Sequence, residues 1–366
     1  MNKILLNGLQ YEPNGAGISR YTAKLIETFI KEEYPVDILM RKECVDNQYS
    51  KNIITVDKNI KNSTKRILEE QLMQIRRYGK YKAIHFPDYA TPLFYSGPKV
   101  ATIHDMAMHT MRDKYTFMQG LTKNMLLEYT IKAAKGLICN SEFTKKELLH
   151  YYPKVAGKIT VIPMGIDLPA VEISFDKGKK ILEQLMIHRP YMLYVGTIAP
   201  HKNIEVLIKA FANVKKLDKD YQLVIVGKKG WMYDEVFECV EALGLKKDVI
   251  FTGFVTDEQL EILYQEASFF VSVSLYEGFG FPPLEAMVRG CATLVSDTDI
   301  FKETCQDAAI YCNPYDADDI ANKMLQLIEH EQFKQRLRLK GKHRVKEFTW
   351  EKTTRKTYEV YEAVLK

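Results

Sequence analysis

One stretch of this sequence says most about its architecture: Leu275-Tyr276-Glu277-Gly278-Phe279-Gly280-Phe281-Pro282-Pro283-Leu284-Glu285-Ala286. The apolar run 268–274 before it predicts a strand, and Glu277 follows where that strand ends. The two glycines permit positive φ or close approach of a ligand, and the proline pair suits the start of a helix. Glu285 is expected in the first turn of that helix. Both carboxylates would then lie at the carboxyl edge of a parallel sheet, where open α/β folds bind ligands.

Short apolar runs alternate with amphipathic segments along the whole chain. Runs of this length suit parallel strands that are covered on both faces. The predicted strands are Ile4–Leu6, Val36–Met40, Ala83–Phe86, Val100–His104, Leu137–Cys139, Ile159–Ile162, Tyr191–Val195, Leu223–Val226, Val249–Thr252, Phe269–Val273, Thr293–Val295 and Ile310–Tyr311. This alternation indicates an α/β chain with doubly wound sheets.

Helical spacing of apolar residues predicts helices between these strands. One set is Ile18, Tyr21, Leu25 and Phe29, and another is Met125, Tyr129 and Ala133. The pattern loosens from Asp167 to Pro190, which predicts a connection between two domains, 1–168 and 169–349. Aromatic residues near the end of the chain mark a final helix over about 350–366.

The composition fits two globular domains and excludes some classes of function. Hydrophobic residues make up 46% of the 366 residues, so each half can bury its own core. The net charge of +5 permits anionic substrates but falls short of a nucleic-acid-binding protein. Six cysteines without a CxxC pair predict free thiols in a reducing cytosol. The N-terminal segment reads as a first strand rather than a signal peptide, and no apolar run has the length of a membrane span.

The two glutamates also carry a family resemblance. Separated by Gly-Phe-Gly-Phe-Pro-Pro-Leu and followed by Ala-Met, they resemble the signature of retaining family-4 glycosyltransferases of the GT-B fold. The resemblance implies two Rossmann-like doubly wound domains facing across a cleft, an N-terminal one on the acceptor side and a C-terminal one that binds the nucleotide sugar. It also implies that the final helix packs back onto the first domain. The alternative is a structural loop whose acids are solvated or favour a helix N-terminus.

A second loop with anion-binding character is Asn14-Gly15-Ala16-Gly17-Ile18-Ser19-Arg20, between the first strand and the first helix. Glycines let backbone N–H groups approach an anion, and a helix N-terminus favours negative charge. A dinucleotide fingerprint fits poorly, because Arg20 replaces the third glycine and Asp37 starts its strand instead of ending it. The resemblance places Gly15 and Gly17 near the donor's diphosphate and the acceptor. A plain strand–helix turn is the alternative.

The first loop of the second domain holds a candidate for binding the leaving diphosphate. In Gly196-Thr197-Ile198-Ala199-Pro200-His201-Lys202-Asn203, Asn203 is expected to cap a helix, so Lys202 lies beside a helix N-terminus. The resemblance assigns Lys202 to the diphosphate, whereas Thr197 and His201 replace arginines that many family members carry. The second positive charge could come from Arg20 or from a protonated His201. A solvated surface lysine is the alternative for Lys202.

The resemblance assigns further residues to the donor. His104 would face the donor sugar, and the backbone of Phe254 and Val255 would read the nucleobase. Lys228 lies in a glycine- and lysine-rich loop that fits either the nucleotide or a solvated turn. The donor-binding set predicted in this way is Gly15, Gly17, Thr197, Lys202, Lys228, Phe254, Val255, Gly278, Phe279, Gly280 and Glu285, with Glu277, His104 and Lys202 as catalytic residues. No metal site is predicted, because the spacing of His104, Asp105 and His109 matches no standard one.

Together with the family resemblance, these residues predict a retaining glycosyltransferase that needs no metal ion and no cofactor beyond its nucleotide-sugar donor. Glu285 would accept hydrogen bonds from the ribose, Glu277 would lie near the transferred sugar, and Lys202 would stabilise the departing diphosphate. GDP-mannose, UDP-glucose and dTDP-rhamnose all stay open as donors, with a mannosyltransferase slightly favoured. The alternatives are a glycoside hydrolase with paired carboxylates and a non-catalytic protein that binds sugar nucleotides.

The resemblance also implies the acceptor: a hydroxyl of a glycan or a lipid-linked molecule, in the synthesis of cell-surface polysaccharide. Because many relatives act while bound to membranes, it admits a cytoplasmic protein in peripheral contact with the inner face of the membrane. The basic run Arg76–Lys82 and the segments Pro87–Leu93 and Asp113–Tyr115 are candidates for the acceptor side. Basic runs of this kind are more often solvated faces.

Overall fold

The computed structural model describes the chain at residues 4–13, 15, 17–45, 52–56, 70, 79–93, 95–111, 117–169, 174–217 and 220–366. The chain divides into two compact units. The first unit comprises Met1–Gly165 together with Phe348–Lys366, and the second comprises Ile166–Glu347. Each unit is built on one parallel sheet with helices between its strands.

The sheet of the first unit has the strand order β3-β2-β1-β4-β5-β6-β7, with parallel pairing throughout. Its strands are β1 (Ile4–Asn7), β2 (Val36–Arg41), β3 (Ile53–Val56), β4 (Ala83–Phe86), β5 (Lys99–Ile103), β6 (Gly136–Cys139) and β7 (Ile159–Val161). The helices described with both bounds before residue 165 are α1 (Ile18–Lys31), α2 (Ala107–Thr110), α3 (Phe117–Ala133) and α4 (Glu142–Tyr151).

The sheet of the second unit has the strand order β10-β9-β8-β11-β12-β13, again with parallel pairing. Its strands are β8 (Tyr191–Val195), β9 (Gln222–Val226), β10 (Val249–Gly253), β11 (Phe269–Ser272), β12 (Thr293–Ser296) and β13 (Ile310–Cys312). Its helices are α5 (Phe175–Gln184), α6 (Ile204–Lys215), α7 (Asp234–Ala242), α8 (Asp257–Glu266), α9 (Phe281–Val288), α10 (Asp299–Cys305), α11 (Ala317–Glu329) and α12 (Glu331–Arg344).

Helix α13 (Trp350–Leu365) belongs to the first unit, although it follows the second in sequence. The Thr349 hydroxyl caps it by accepting a hydrogen bond from the backbone N–H of Lys352. Its Tyr361 is buried, and the Tyr361 hydroxyl lies 2.6 Å from Nδ1 of His85 on β4. The Tyr361 ring also stacks on Phe29 of α1, at 5.8 Å between centroids. These contacts join the end of the chain to the first sheet.

The predicted strands are present because their apolar runs are covered on both faces. Neighbouring residues of β11 show this directly, since Phe270 packs in one core cluster of the second unit and Val271 in the other. Strand β3 is not predicted from the sequence; it is a short edge strand whose Ile53 and Ile54 are only partly buried. All six cysteines are free thiols. None of the described helices is long and apolar enough to cross a membrane.

Helix α1 is present with the predicted buried face, but the face predicted for α3 is wrong. Tyr21, Leu25 and Phe29 of α1 are buried, as their spacing indicates. In α3, Met125 is exposed, whereas Leu127 and Ile131 are buried. Because α3 carries apolar residues on more than one face, its spacing pattern cannot identify the face that packs on the sheet.

Candidate functional site

The loops after β8 and β11 bring Lys202 and Glu277 together at the carboxyl edge of the second sheet. Lys202 Nζ lies 2.5 Å from Glu277 Oε1, and the two side chains are 16% and 15% exposed. The backbone N–H of Leu275 donates to the carbonyl of His201 at 2.8 Å, which joins the two loops. Removing one partner from such a shielded pair would leave an uncompensated charge.

Asn203 holds the Lys202 loop in place, but not by the capping interaction expected from the sequence. It stands at the start of α6 with φ 59° and makes no side-chain capping bond. Its Nδ2 donates instead to the carbonyls of Val273, at 3.2 Å, and Pro314, at 2.6 Å. Asparagine tolerates this left-handed backbone better than most residues do. The side chain thus ties the Lys202 turn to the ends of β11 and β13.

His201 does not provide the second positive charge that the sequence allowed. Its ring stacks on Trp231, with centroids 5.5 Å apart and planes 25° from parallel. Burial and then the neighbouring Lys202 ammonium lower the pKa of His201 to about 4. The imidazole is therefore neutral at neutral pH, and that expectation is wrong.

Glu285 is buried on α9, one turn further along the helix than expected. The helix begins at Phe281, with the prolines in its first turn, so Glu285 falls in the second turn. Its Oε2 accepts a hydrogen bond from the Tyr264 hydroxyl of α8 at 3.0 Å. Arg289 donates from Nη1 to the Glu285 main-chain carbonyl at 3.1 Å. The Tyr264 hydroxyl orients the carboxylate, whereas Arg289 contacts the main chain of the same residue.

Between Glu277 and Glu285, the loop can contact a ligand through backbone atoms rather than through side chains. Gly280 precedes α9 with φ 82°, and a Cβ there would lie 2.8 Å from the Phe301 ring. The Phe279 ring is buried and packs edge-on against Phe281 at 5.3 Å. A ligand contact by Phe279 would therefore have to come from its backbone.

The loops after β8 and β9 pack together at a glycine contact. A Cβ on Gly227 would lie 1.9 Å from the carbonyl oxygen of Gly196, so neither loop could keep its place with another residue at 227. Ile198 N–H donates to the Lys228 carbonyl at 3.0 Å, and Thr197 between these contacts is exposed. Thr197 and Lys228 consequently stand on neighbouring loops at the same sheet edge as Lys202.

Phe254, after β10, presents an exposed aromatic ring that the sequence argument did not use. Phe254 is 64% exposed as a residue, and Lys228 Nζ lies 4.8 Å from the centroid of its ring. Val255 next to it is buried in the core. The prediction used only the backbone at these positions, whereas the structure adds a face suited to stacking and a cation above it.

Tyr194 lies beside the candidate site, and sequence reasoning missed it. It lies on β8, and its buried hydroxyl has no hydrogen-bond partner within the described part of the chain. A Cβ on Gly196 would come within 2.7 Å of that hydroxyl. Burial and then the Glu277 carboxylate raise its pKa well above the ordinary value. A tyrosine two residues before the glycine loop was the available signal.

In the first unit, His104 follows β5 and is held by its neighbours. Its Nε2 lies 2.8 Å from the Pro87 carbonyl, and Asn140 Nδ2 donates to the His104 carbonyl at 2.9 Å. The Tyr21 ring meets the imidazole edge-on at 5.0 Å. Burial lowers the pKa of His104, which favours its neutral form.

The glycines of the first-unit loop stand where α1 begins. Gly17 precedes the helix with φ 58°, and nothing lies within 4 Å of the position a Cβ would take. A Cβ on Gly15 would lie 2.3 Å from the Ser19 hydroxyl, so this position admits only glycine without rearrangement. Asn14, Ala16, Asp113–Tyr115 and the 76–78 part of the basic run lie outside the described residues. Among the described residues, no group of three His, Cys, Asp or Glu could hold a metal ion.

Comparisons with known proteins agree across both units. Residues 15–169 match the family model described as Glycosyltransferase Family 4, and residues 180–344 match the one described as Glycosyl transferases group 1. The chain is 28% identical over 264 residues to O-antigen chain mannosyltransferase B of Escherichia coli, a match that covers 72% of this chain and 69% of that protein. It is 27% identical over 327 residues to O-antigen chain mannosyltransferase RfbU of Salmonella typhimurium, covering 86% and 87%.

A solved structure, Anabaena Alr3699/HepE in complex with UDP and glucose, has a similar fold. The TM-score is 0.78 with 17% sequence identity, over 99% of this chain and 100% of that one. At this identity the likeness concerns the fold alone.

Proposed function

Because the chain belongs to the family-4 glycosyltransferases of the GT-B fold, we propose that it transfers a sugar, with retention, from a nucleoside-diphosphate donor to a hydroxyl of a glycan. The observation that carries this proposal is the Lys202–Glu277 ion pair at the carboxyl edge of the second sheet. It places a cation and a carboxylate within hydrogen-bonding distance of each other, where α/β sheets bind ligands.

Lys202 serves the departing diphosphate in this proposal. A diphosphate carries more negative charge than one carboxylate, so its arrival draws the ammonium away from Glu277. The charge that develops on the leaving oxygen during transfer strengthens the contact, which is the condition for catalysis by electrostatic stabilisation. His201 is neutral beside it, so Lys202 is the cation of its own loop.

Glu277 serves the transferred sugar once Lys202 has moved. Its carboxylate accepts hydrogen bonds from the sugar hydroxyls and faces the positive charge of the oxocarbenium-like transition state. The backbone of Gly278, Phe279 and Gly280 lies next to it. His104 stays a predicted contact of the sugar. Its Nε2–H donates to the Pro87 carbonyl, so the neutral ring can offer only Nδ1, as an acceptor.

The nucleoside half of the donor is bound further along the same edge. Glu285 accepts hydrogen bonds from the ribose, and Tyr264 keeps the carboxylate oriented. The exposed Phe254 ring offers a stacking face for the base, beside Lys228. No step requires a metal ion, since Lys202 and backbone N–H groups carry the leaving-group charge.

Mannose is the sugar we propose, because both curated relatives described above are mannosyltransferases. The donor to test first is GDP-mannose, followed by UDP-glucose and dTDP-rhamnose. The acceptor we propose is a growing O-antigen-type glycan. A lipid-linked acceptor and a peripheral membrane contact stay predictions from the sequence.

The test is transfer from each of the three radiolabelled sugar nucleotides in EDTA, with and without an oligosaccharide acceptor. Labelled product that forms only with acceptor, with the donor's anomeric configuration by NMR, supports a retaining transferase. Sugar release that ignores the acceptor supports a hydrolase, and no turnover of any donor supports a binding protein. Dependence on added Mg²⁺ or Mn²⁺ would contradict the metal-free account.

A further inference from the structure

A cavity of about 630 Å³ lies at the carboxyl edge of the second sheet, beside the candidate site. Its walls come from Leu275 after β11, Asp297 and Thr298 after β12, the end of β13 with the segment that follows it (311–316), and the first two turns of α11. The volume falls within the range of ordinary small-ligand sites. None of its residues belongs to the donor-binding set predicted from the sequence.

The cavity is joined directly to the loop that carries Lys202. Leu275, in its wall, donates from its backbone N–H to the His201 carbonyl at 2.8 Å. Asn203 donates from its side-chain amide to the carbonyl of Pro314, another wall residue, at 2.6 Å. A ligand in the cavity would therefore sit next to the loop that we assign to the leaving diphosphate.

The polar groups of the lining suit a ligand with hydroxyl groups. The Thr298 hydroxyl is buried and finds no hydrogen-bond partner in the part of the chain described. Asn313 uses its Oδ1 to accept from the backbone N–H of Tyr315 at 3.1 Å, which leaves its amide N–H groups facing no partner among the described residues. Hydroxyl groups both donate and accept, so they can satisfy a threonine, an amide and a carboxylate at once.

Tyr315 adds an aromatic face. Its side chain is 77% exposed although it lines the cavity. An exposed tyrosine presents an apolar ring with a polar tip. The C–H face of a pyranose stacks on such a ring while its hydroxyls reach the polar groups around it.

The charge of the lining argues against a second phosphate site. Asp297, Asp316 and Asp319 line the cavity with one cation, Lys323. Lys302 offsets Asp297 at 2.6 Å, and Asp316 accepts from two backbone N–H groups at the start of α11. The acids still outnumber the bases, which disfavours an anionic ligand and leaves carboxylate oxygens as acceptors for neutral hydroxyls.

We propose that this cavity is a subsite for a neutral sugar unit of the acceptor glycan, with Tyr315 as its stacking face and Thr298 and Asn313 as its polar contacts. The inference rests on the proposed function and extends it by assigning part of the acceptor to the second unit. It defines Tyr315 as a residue that selects the acceptor without taking part in donor binding.

The first experiment measures binding without turnover. Saturation-transfer NMR on the full chain, with no donor present, uses di- and trisaccharides of mannose, glucose, galactose and rhamnose. We expect at least one to bind, and Tyr315→Ala to weaken that binding tenfold or more. Leu339→Ala, at a 69% exposed position on α12 outside the cavity, should bind as wild type does. Absence of binding across the panel, or equal binding by Tyr315→Ala, overturns the proposal.

The second experiment uses kinetics and separates this proposal from the one before it. Tyr315→Ala and Thr298→Val should each raise the acceptor KM, the former at least tenfold, with donor KM and kcat within twofold of wild type. A change confined to donor KM overturns the subsite. If the chain turns over no donor at all, the transferase proposal fails, while the binding measurements still decide whether the cavity takes a sugar.

Discussion

Lys202 Nζ and Glu277 Oε1 are 2.5 Å apart, in a pair whose side chains are 16% and 15% exposed. Without donor, each charge is therefore neutralised by the other. A donor that binds Lys202 as proposed must separate the two side chains, and the free energy gained by its contact with Lys202 is reduced by the loss of the ion pair. The pair links the affinity for diphosphate to the state of Glu277.

Glu277→Gln should bind nucleoside diphosphate more tightly and turn over more slowly. The amide keeps the shape of the side chain but no longer competes for the Lys202 ammonium. We expect the Kd for GDP or UDP to fall several-fold in calorimetry, and kcat to fall by roughly 100-fold or more because transition-state stabilisation is lost. Lys202→Ala should weaken the same binding by roughly tenfold or more, as expected for a charged hydrogen bond.

The control is Lys177→Ala, which removes the cation of an exposed pair with Glu258 in the same unit. Exposed ion pairs contribute little, so both Kd and kcat should match wild type. Weaker nucleoside-diphosphate binding by Glu277→Gln would show that the carboxylate assists the diphosphate instead of competing for Lys202.

Glu285→Ala should show whether Glu285 contacts the ribose or the diphosphate of the donor. Its carboxylate is buried and oriented by Tyr264 at 3.0 Å, so its loss removes a fixed acceptor for the ribose hydroxyls. We expect roughly tenfold weaker binding of nucleoside diphosphate and unchanged binding of inorganic pyrophosphate, both by calorimetry. Tyr264→Phe should give a smaller loss in the same direction. An equal loss for pyrophosphate would move Glu285 from the ribose to the phosphates.

Much of the second unit could be predicted from local sequence, because its strands are covered on both faces and read as continuous apolar runs. The start of α9 followed from Pro282 and Pro283, whose missing N–H groups cost nothing there. The strand order was not predictable. It is the pairing of β8 with β11 that places the loops carrying Lys202 and Glu277 side by side.

The errors at Asn203 and His201 share one physical cause: the deciding partner is distant in sequence. Asn203 binds the Pro314 carbonyl instead of capping α6, and His201 is neutral partly because it is buried against Trp231. The Tyr264 partner of Glu285 and the unsatisfied Tyr194 hydroxyl also depend on tertiary packing. Propensity and spacing describe neighbours along the chain, so they cannot supply such contacts.

His85 should make the first unit sensitive to acid. Its two ring nitrogens contact the hydroxyls of Tyr361 at 2.6 Å and Thr102 at 2.8 Å. Burial, and then His104, lower its pKa to about 3. In mild acid, His85 of the unfolded chain therefore binds a proton that His85 of the folded chain does not bind. The neutral His85 ring therefore contributes to the free energy of unfolding. This contribution is fully present above the ordinary pKa of histidine and is lost as the pH falls toward 3, at roughly 1.4 kcal/mol per pH unit.

The measurement is denaturant unfolding at pH 7 and pH 5, in a Trp231→Phe background so that Trp350 reports on the first unit. The free energy of unfolding should fall by about 2 kcal/mol more with His85 present than in His85→Gln. The comparison cancels the contribution of His201, whose pKa is also lowered. His104 acts together with His85, because its charge lowers the pKa of His85. Parallel pH profiles for the two proteins would contradict the assignment.

Tyr194 and Tyr191 provide a matched pair on β8 for the last prediction. Both are buried, but the Tyr191 hydroxyl donates to the Leu263 carbonyl at 2.9 Å, whereas the Tyr194 hydroxyl has no partner in the described residues. Removing a bonded hydroxyl leaves a buried carbonyl unsatisfied, while removing an unsatisfied one takes away a desolvation cost. Tyr191→Phe should therefore lower the free energy of unfolding by about 1–3 kcal/mol, and Tyr194→Phe should raise it by up to about 1 kcal/mol.

In Tyr194→Phe, we expect activity to fall although stability rises. A polar group kept unsatisfied close to Gly196 and Glu277 is a cost that a purely structural position would not retain. We expect Tyr194→Phe to raise Tm yet lower kcat, because the hydroxyl is available to Glu277 once Lys202 turns to the diphosphate. Tyr191→Phe should lower Tm with kcat unchanged below its melting range. If Tyr194→Phe lowers the free energy of unfolding as Tyr191→Phe does, the Tyr194 hydroxyl is hydrogen-bonded in solution. It would then not be available to bind Glu277 during transfer.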